Sequence, residues 1–134
     1  MDKTVLITGA TRGIGRALAE QLSAMGATVF ASGRDQALLE SVMAATGCSG
    51  ATADLSDPKQ AVALYAKAHA ALGHIDILIN NAGLNNRKAP VKEIELDDWE
   101  QQYAVNLRAP MLLSREALKE MSAPQRELAF ALMA

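Results

Sequence analysis

Short apolar runs alternate along this chain with longer segments whose apolar residues recur every three to four positions. Val5-Leu6-Ile7 is a β-branched and aliphatic run that ends at Gly9, the pattern of a buried strand. Ile14, Leu18, Leu22 and Met25 then fall at helical spacing and predict a helix stopped by Gly26. Thr28 to Ala31 is a second strand, ended by Gly33, and Arg34 to Gly47 a second helix with Gly47 as its C-cap. "SGATADL", Ser49 to Leu55, predicts a weaker third strand. Ser56 or Asp57 caps a third helix with Pro58 in its first turn, running to Gly73. Ile75 to Asn80 is the fourth strand, and a polar loop follows to Leu96. Asp97 to Leu107 and Ala109 to Met121 have helical periodicity, with a bend expected near Pro110. The tail after Met121 can begin another short helix past Pro124.

Strand and helix in strict alternation predict a parallel sheet with right-handed crossovers. The strands are apolar throughout, as a sheet covered on both faces requires. At 134 residues the chain is one domain. Half of the residues are apolar but only 4% aromatic, so the core is aliphatic. Thirteen basic residues against 15 acidic ones argue against a nucleic-acid or membrane-surface protein. A single cysteine, Cys48, excludes an intramolecular disulfide and a cysteine cluster for zinc, and fits a reducing, cytoplasmic setting. The N-terminal apolar run is too short for a signal peptide, and no segment is long enough to span a bilayer.

The stretch "TGATRGIG" lies between the first strand and the first helix. A helix N-terminus presents free N–H groups and a partial positive charge, and a diphosphate can sit there only where no Cβ intervenes. Gly9 can turn the chain out of the strand, Gly13 can let the backbone approach phosphates, and Gly15 can let the helix pack closely on the sheet. The spacing is G-x-x-x-G-x-G rather than G-x-G-x-x-G, and by itself it also suits a plain strand-to-helix turn.

Three further stretches follow in order: "ADL" with Asp54, "NNAG" from Asn80 to Gly83, and "VNL" with Asn106. Together with "TGATRGIG" they resemble the short-chain dehydrogenase/reductase family, from about Lys3 to Met121. The resemblance implies an α/β, Rossmann-like parallel sheet in the order 3-2-1-4 with helices on both faces, truncated relative to the family. It implies cofactor contacts from Gly9, Thr11, Arg12, Gly13, Ile14 and Gly15 in the loop. Asp54 and Leu55 would serve the adenine, and Asn81, Ala82 and Gly83 would floor the cleft. Asn106 matches the asparagine of the family's catalytic tetrad, which lies at a helix irregularity and helps hold a water. Without the family, Asp54 is equally a capping residue near Ser56, the Asn81 segment a strand-ending turn, and Asn106 a solvated helix position.

NAD-preferring enzymes carry an acidic residue at the end of the second strand. Here that place holds Gly33, followed by Arg34, while Arg12 lies inside the glycine loop. Two guanidiniums there suit a 2′-phosphate, so the cofactor expected is NADP(H). Asp35 belongs to the start of the next helix.

The family's chemistry also needs a serine and a Tyr-x-x-x-Lys pair. Tyr65 is followed four residues later by His69 and Tyr103 by Leu107, so neither makes the pair. The residues resemble the cofactor-binding half of such an enzyme, with an atypical tail at 122–134. Three functions stay open: an oxidoreductase scaffold without independent activity, a non-catalytic dinucleotide-binding sensor, and a non-functional truncated product. The substrate is not legible. No metal site is expected, and His69 and His74 are taken as solvated. Trp99 is taken as a packing residue. A homo-oligomer, dimer or larger, is expected across the bare fourth strand, with Met111, Leu112, Leu118 and Met121 as a second apolar face.

Overall fold

In the computed structural model, which describes residues 1–85 and 89–121, the first apolar run forms β1 (Thr4–Ile7). It is flanked by β2 (Thr28–Gly33) and β4 (Ile77–Ile79), with β3 (Ser49–Thr52) outside β2. All pairings are parallel and the order is β3-β2-β1-β4, as expected of a Rossmann-like sheet. The crossovers are α1 (Gly13–Ala24), α2 (Gln36–Thr46) and α3 (Pro58–Leu72), followed by α4 (Leu96–Tyr103) and α5 (Ala109–Glu120).

Because a strand turns successive side chains to opposite faces, β1 feeds two cores. Val5 and Ile7 pack with Val29, Leu39 and Val42 on one side, and Leu6 packs with Phe30, Leu64 and Leu113 on the other. That two-sided burial explains why the strands are uniformly apolar.

Several boundaries depart from the sequence pattern. The third strand ends at Thr52 rather than Leu55. After a last bond from the Ala53 N–H to the Gly33 carbonyl, Asp54 takes the Ser56 N–H on its own carboxylate and turns the chain. The cap of α3 is Asp57, whose carboxylate accepts from the Lys59 N–H at 2.9 Å. The fourth strand is Ile77–Ile79, not Ile75 to Asn80. Asp76, just before it, is tied to β1 instead, accepting from the Thr4 N–H at 3.0 Å and the Thr4 hydroxyl at 3.1 Å. On α1, Ile14 and Met25 are exposed and the buried contacts come from Gly15 and Ala19. The small Ala19 packs into the core beneath the helix, while Ile14 faces solvent.

The expected bend near Pro110 is a π turn, Ala104–Arg108, between α4 and α5. The Ala109 N–H reaches back five residues to the Ala104 carbonyl. Pro110, in the first turn of α5, offers no N–H to the Asn106 carbonyl and its ring would crowd that carbonyl in a regular helix, so the extra residue is accommodated just before it. The expected helix after Pro124 lies outside the described residues.

Candidate functional site

The chain leaves β1 at Thr8 and reverses at Gly9. Gly9 has φ of +63°, and a Cβ there would stand 2.8 Å from the Ala82 Cα. Gly13 has φ of +56°, and a Cβ there would meet nothing within 4 Å. Its backbone therefore faces open space at the N-terminus of α1. That terminus carries no side-chain cap from Arg12, so its N–H groups are available to an anion. Gly15 is needed for a different contact from the one expected. A Cβ there would land on the Gly9 carbonyl oxygen and the Asn81 amide, so Gly15 makes room for the turn and for Asn81.

The loop after β4 is fastened to this turn. The Thr8 hydroxyl accepts from the N–H groups of Asn81 and Ala82, each at 3.1 Å. The Asn81 amide donates back to the carbonyls of Thr8 at 3.2 Å and Gly9 at 3.0 Å. Thr8 is 1% exposed, a buried hydroxyl made tolerable by these partners. The sequence reading did not include it. Its signal was a hydroxyl at the end of an otherwise apolar strand.

A cleft of about 380 Å³ opens beside the two loops, at the carboxyl ends of the strands where α/β sheets bind ligands. Of the expected residues, Gly9, Thr11, Arg12 and Arg34 line one part of it, and Leu55, Asn81, Ala82 and Gly83 another. Gly13, Ile14, Gly15, Asp54 and Asn106 are not part of the lining. Gly33, which the sequence placed at the cofactor-selecting end of the second strand, lines it too; Ser32, Ala53, Leu84, Asn85 and Val105 complete it and were not anticipated. Thr11 explains Gly33, because a Cβ at Gly33 would collide with the Thr11 side chain.

Arg12 and Arg34 are exposed, and neither guanidinium makes a hydrogen bond or ion pair among the described residues. Asp35 is occupied elsewhere, capping α2 through a bond from the Leu38 N–H at 3.0 Å. An anion in this cleft therefore meets two guanidiniums without a hydrogen bond or close ion pair among the described residues, and a helix N-terminus without a side-chain cap.

Asp54 stands beside the cleft between Ala53 and Leu55. Its Oδ1 accepts from the Ser56 hydroxyl at 2.6 Å and the Ser56 N–H at 3.0 Å. The Ser56 hydroxyl first and then the Ser56 N–H, with a lesser contribution from the Arg34 charge, hold its carboxyl below the usual range against the opposing effect of burial. It is ionised at neutral pH; the helix-capping role weighed for it from sequence falls to Asp57, and the Asp54 Oδ1 instead closes the turn before α3.

Asn106 lies in the π turn and is fully engaged with one backbone unit. Its Oδ1 accepts from the Leu84 N–H at 2.7 Å and its Nδ2 donates to the Leu84 carbonyl at 2.8 Å. It thus pins the loop after β4 onto the helix. Two residues on, Arg108 Nη2 donates to the Ser56 carbonyl at 2.7 Å. The Arg108 Nε is buried without a partner among the described residues.

On the other side of Asn106 lies a second depression, of about 370 Å³, walled by Trp99, Tyr103 and Leu107 and rimmed by Glu93, Glu95 and Asp98. Trp99 and Tyr103 stack with ring centroids 5.8 Å apart. Trp99 is 55% exposed, so it is not the packing residue expected. Leu112 and Met121 are buried in the core, and the exposed apolar face of this helix is instead Trp99, Tyr103, Leu107 and Met111. The histidines are not merely solvated: His69 pairs with Glu120 at 2.9 Å and His74 with Asp76 at 3.3 Å.

Residues 3–127 match the sequence model of a family described as short chain dehydrogenase. A 3beta-hydroxysteroid dehydrogenase of Mediterraneibacter gnavus is 38% identical over 125 residues, covering 90% of this chain and 45% of the relative. A metagenomic short-chain oxidoreductase solved in complex with NADP is 36% identical with a TM-score of 0.77, over 92% of this chain and 56% of that one. A short-chain dehydrogenase from Burkholderia cenocepacia, also solved with NADP, is 32% identical with a TM-score of 0.81, over 90% and 51%. The chain spans about half the length of the curated relatives it matches.

Proposed function

Because the chain belongs to the short-chain dehydrogenase family, we propose that it is the NADP(H)-binding scaffold of an oxidoreductase. The observation that carries this is the pair of exposed guanidiniums, Arg12 and Arg34, neither hydrogen-bonded among the described residues, on the same cleft as the glycine turn. The diphosphate of a dinucleotide suits the uncapped N-terminus of α1 before Gly13. A 2′-phosphate on the adenosine suits the two arginines, and among the described residues no carboxylate lines the cleft to favour a bare hydroxyl. Two similar structures were solved with NADP, which supports the same choice. Calorimetry decides it: NADPH binds more tightly than NADH, and Arg34→Ala removes most of the difference. Losing a charge-assisted contact costs about 1.5–3 kcal/mol, or about ten- to 150-fold in affinity. Equal affinities in the parent chain refute the proposal.

The bound cofactor would supply or accept hydride, and these residues bind and orient it. No Tyr-x-x-x-Lys pair occurs in the 134 residues, so they carry no positioned proton donor of the family's kind. Turnover then requires that such a pair be supplied from outside these 134 residues. A panel of ketones with NADPH and this chain alone gives no family-like rate, since such a donor contributes about 10²–10⁴-fold. We also propose that copies associate through the exposed face Trp99, Tyr103, Leu107 and Met111, alongside the β4 edge considered from sequence. A reducing cytoplasm suits the free Cys48.

A further inference from the structure

The π turn sends two polar side chains in different directions. Asn106 holds the backbone of Leu84, and Arg108 holds the carbonyl of Ser56. Residues two apart on a helix do not share a face, and their two targets belong to different walls of the cleft. Leu84 lies in the loop after β4, and Ser56 closes the loop that carries Ala53 and Leu55. Val105, which directly precedes Asn106 in the chain, is itself part of the lining.

We propose that Arg108 is a positioning residue of the cleft: its bond to Ser56 sets where the Ala53–Leu55 wall stands, and so how well the adenine end of a dinucleotide fits. This rests on the dinucleotide reading above. The Ser56 carbonyl belongs to the same residue whose N–H and hydroxyl bind Asp54, so Arg108 anchors a turn already closed on itself. The anchor crosses 52 positions of sequence.

The guanidinium is an uneconomical way to gain stability alone. Its Nε is buried with no acceptor among the described residues, and an apolar side chain of similar length would leave no such group unpaired. Buried unsatisfied polar groups are few in native proteins, and departures from local consistency concentrate where function constrains the site. Arg108 does not line the cleft, so its effect on a ligand passes through the wall.

The test compares the parent chain with Arg108→Met, Arg108→Lys and Val42→Ala. Met keeps the stem and removes every donor; Lys restores one donor. Val42, on α2, is a fully buried residue of the core on the opposite face of the sheet and controls for general loss of stability. Calorimetry is run with NADPH and with adenosine 2′,5′-bisphosphate, and amide exchange is followed at Asp54, Ser56 and Asp57, whose N–H groups are all bonded within this turn and to Gln60.

Arg108→Met is expected to weaken both ligands by the same factor, about tenfold, and to speed exchange at those three amides selectively. Arg108→Lys recovers part of both effects. Unchanged affinity in folded Arg108→Met overturns the role, as does a loss matched by Val42→Ala with exchange accelerated throughout. Should Arg108→Met not fold, Arg108→Lys carries the same comparison against the parent, and unchanged affinity and exchange there overturn the role. A parent that binds neither ligand overturns the dinucleotide reading and this role with it. A parent that binds both while the variants match it overturns this role alone.

Discussion

Three glycines within seven positions are distinguishable by what a methyl group would meet. At Gly13 the surroundings are empty and only the positive φ opposes a side chain. Gly13→Val therefore leaves the chain folded, at a conformational cost of about 1–2 kcal/mol, while NADPH affinity falls by more than about tenfold because the side chain fills the phosphate position. Gly15→Ala collides with the Gly9 carbonyl and the Asn81 amide. It lowers the thermal midpoint strongly whether or not ligand is present. Circular dichroism melts beside calorimetry separate the two, and an unchanged NADPH affinity in Gly13→Val contradicts the assigned role. The motif made all three positions legible. What it did not show is that the third glycine protects a hydrogen-bonded amide rather than a helix–sheet contact.

Between elements, side chains carry the connections that backbone ladders leave off. Asp76 joins the start of β4 to Thr4. Burial pushes its carboxyl up, but the bonds from the Thr4 N–H and hydroxyl and the charges of His74 and Lys3 outweigh this and hold it below the ordinary 3.8. A carboxyl depressed in the folded state contributes stability that is present above its unfolded pKa and lost as pH falls through the folded value. Urea midpoints of the parent therefore drop between pH 5 and 3 more steeply than those of Asp76→Asn. Asn106 makes a similar connection to Leu84 with neutral groups, and Asn106→Ala costs about 1–2 kcal/mol for two bonds. Asn106→Asp is worse, since a carboxylate oxygen then faces the Leu84 carbonyl. Exchange at the Leu84 amide reads this loosening directly. Such links explain where sequence legibility stopped. Strand order and crossovers followed from apolar runs and glycine stops, which are local signals. The Asn106–Leu84 and Arg108–Ser56 bonds span 22 and 52 positions, and no periodicity encodes them. Periodicity also groups residues on one helix face without saying whether that face is covered, which is why Trp99 was placed inside and Leu112 outside.

For the molecule as a whole, one side of the α4–α5 helix is packed and the other is not. Trp99, Tyr103, Leu107 and Met111 are each about half exposed and follow one another at four-residue intervals. Contiguous apolar surface of this kind marks an interaction site. Sedimentation at micromolar concentration is expected to give at least a dimer. Leu107→Glu shifts it toward monomer by burying a charge in the interface, and Ile77→Lys tests the β4 edge as the competing surface. A monomeric parent refutes the association proposal, and the variant that dissociates a dimer identifies the surface used.

The place of Trp99 has an optical consequence. It is the chain's single tryptophan, and it stacks on Tyr103 in partial contact with water rather than in either core. Its emission in a dispersed folded chain is already that of a solvated indole, so denaturation changes its colour little. Anything that covers the helix face, by contrast, moves the band to the blue. A fluorimeter is therefore nearly blind to this protein's folding and well placed to watch it find company.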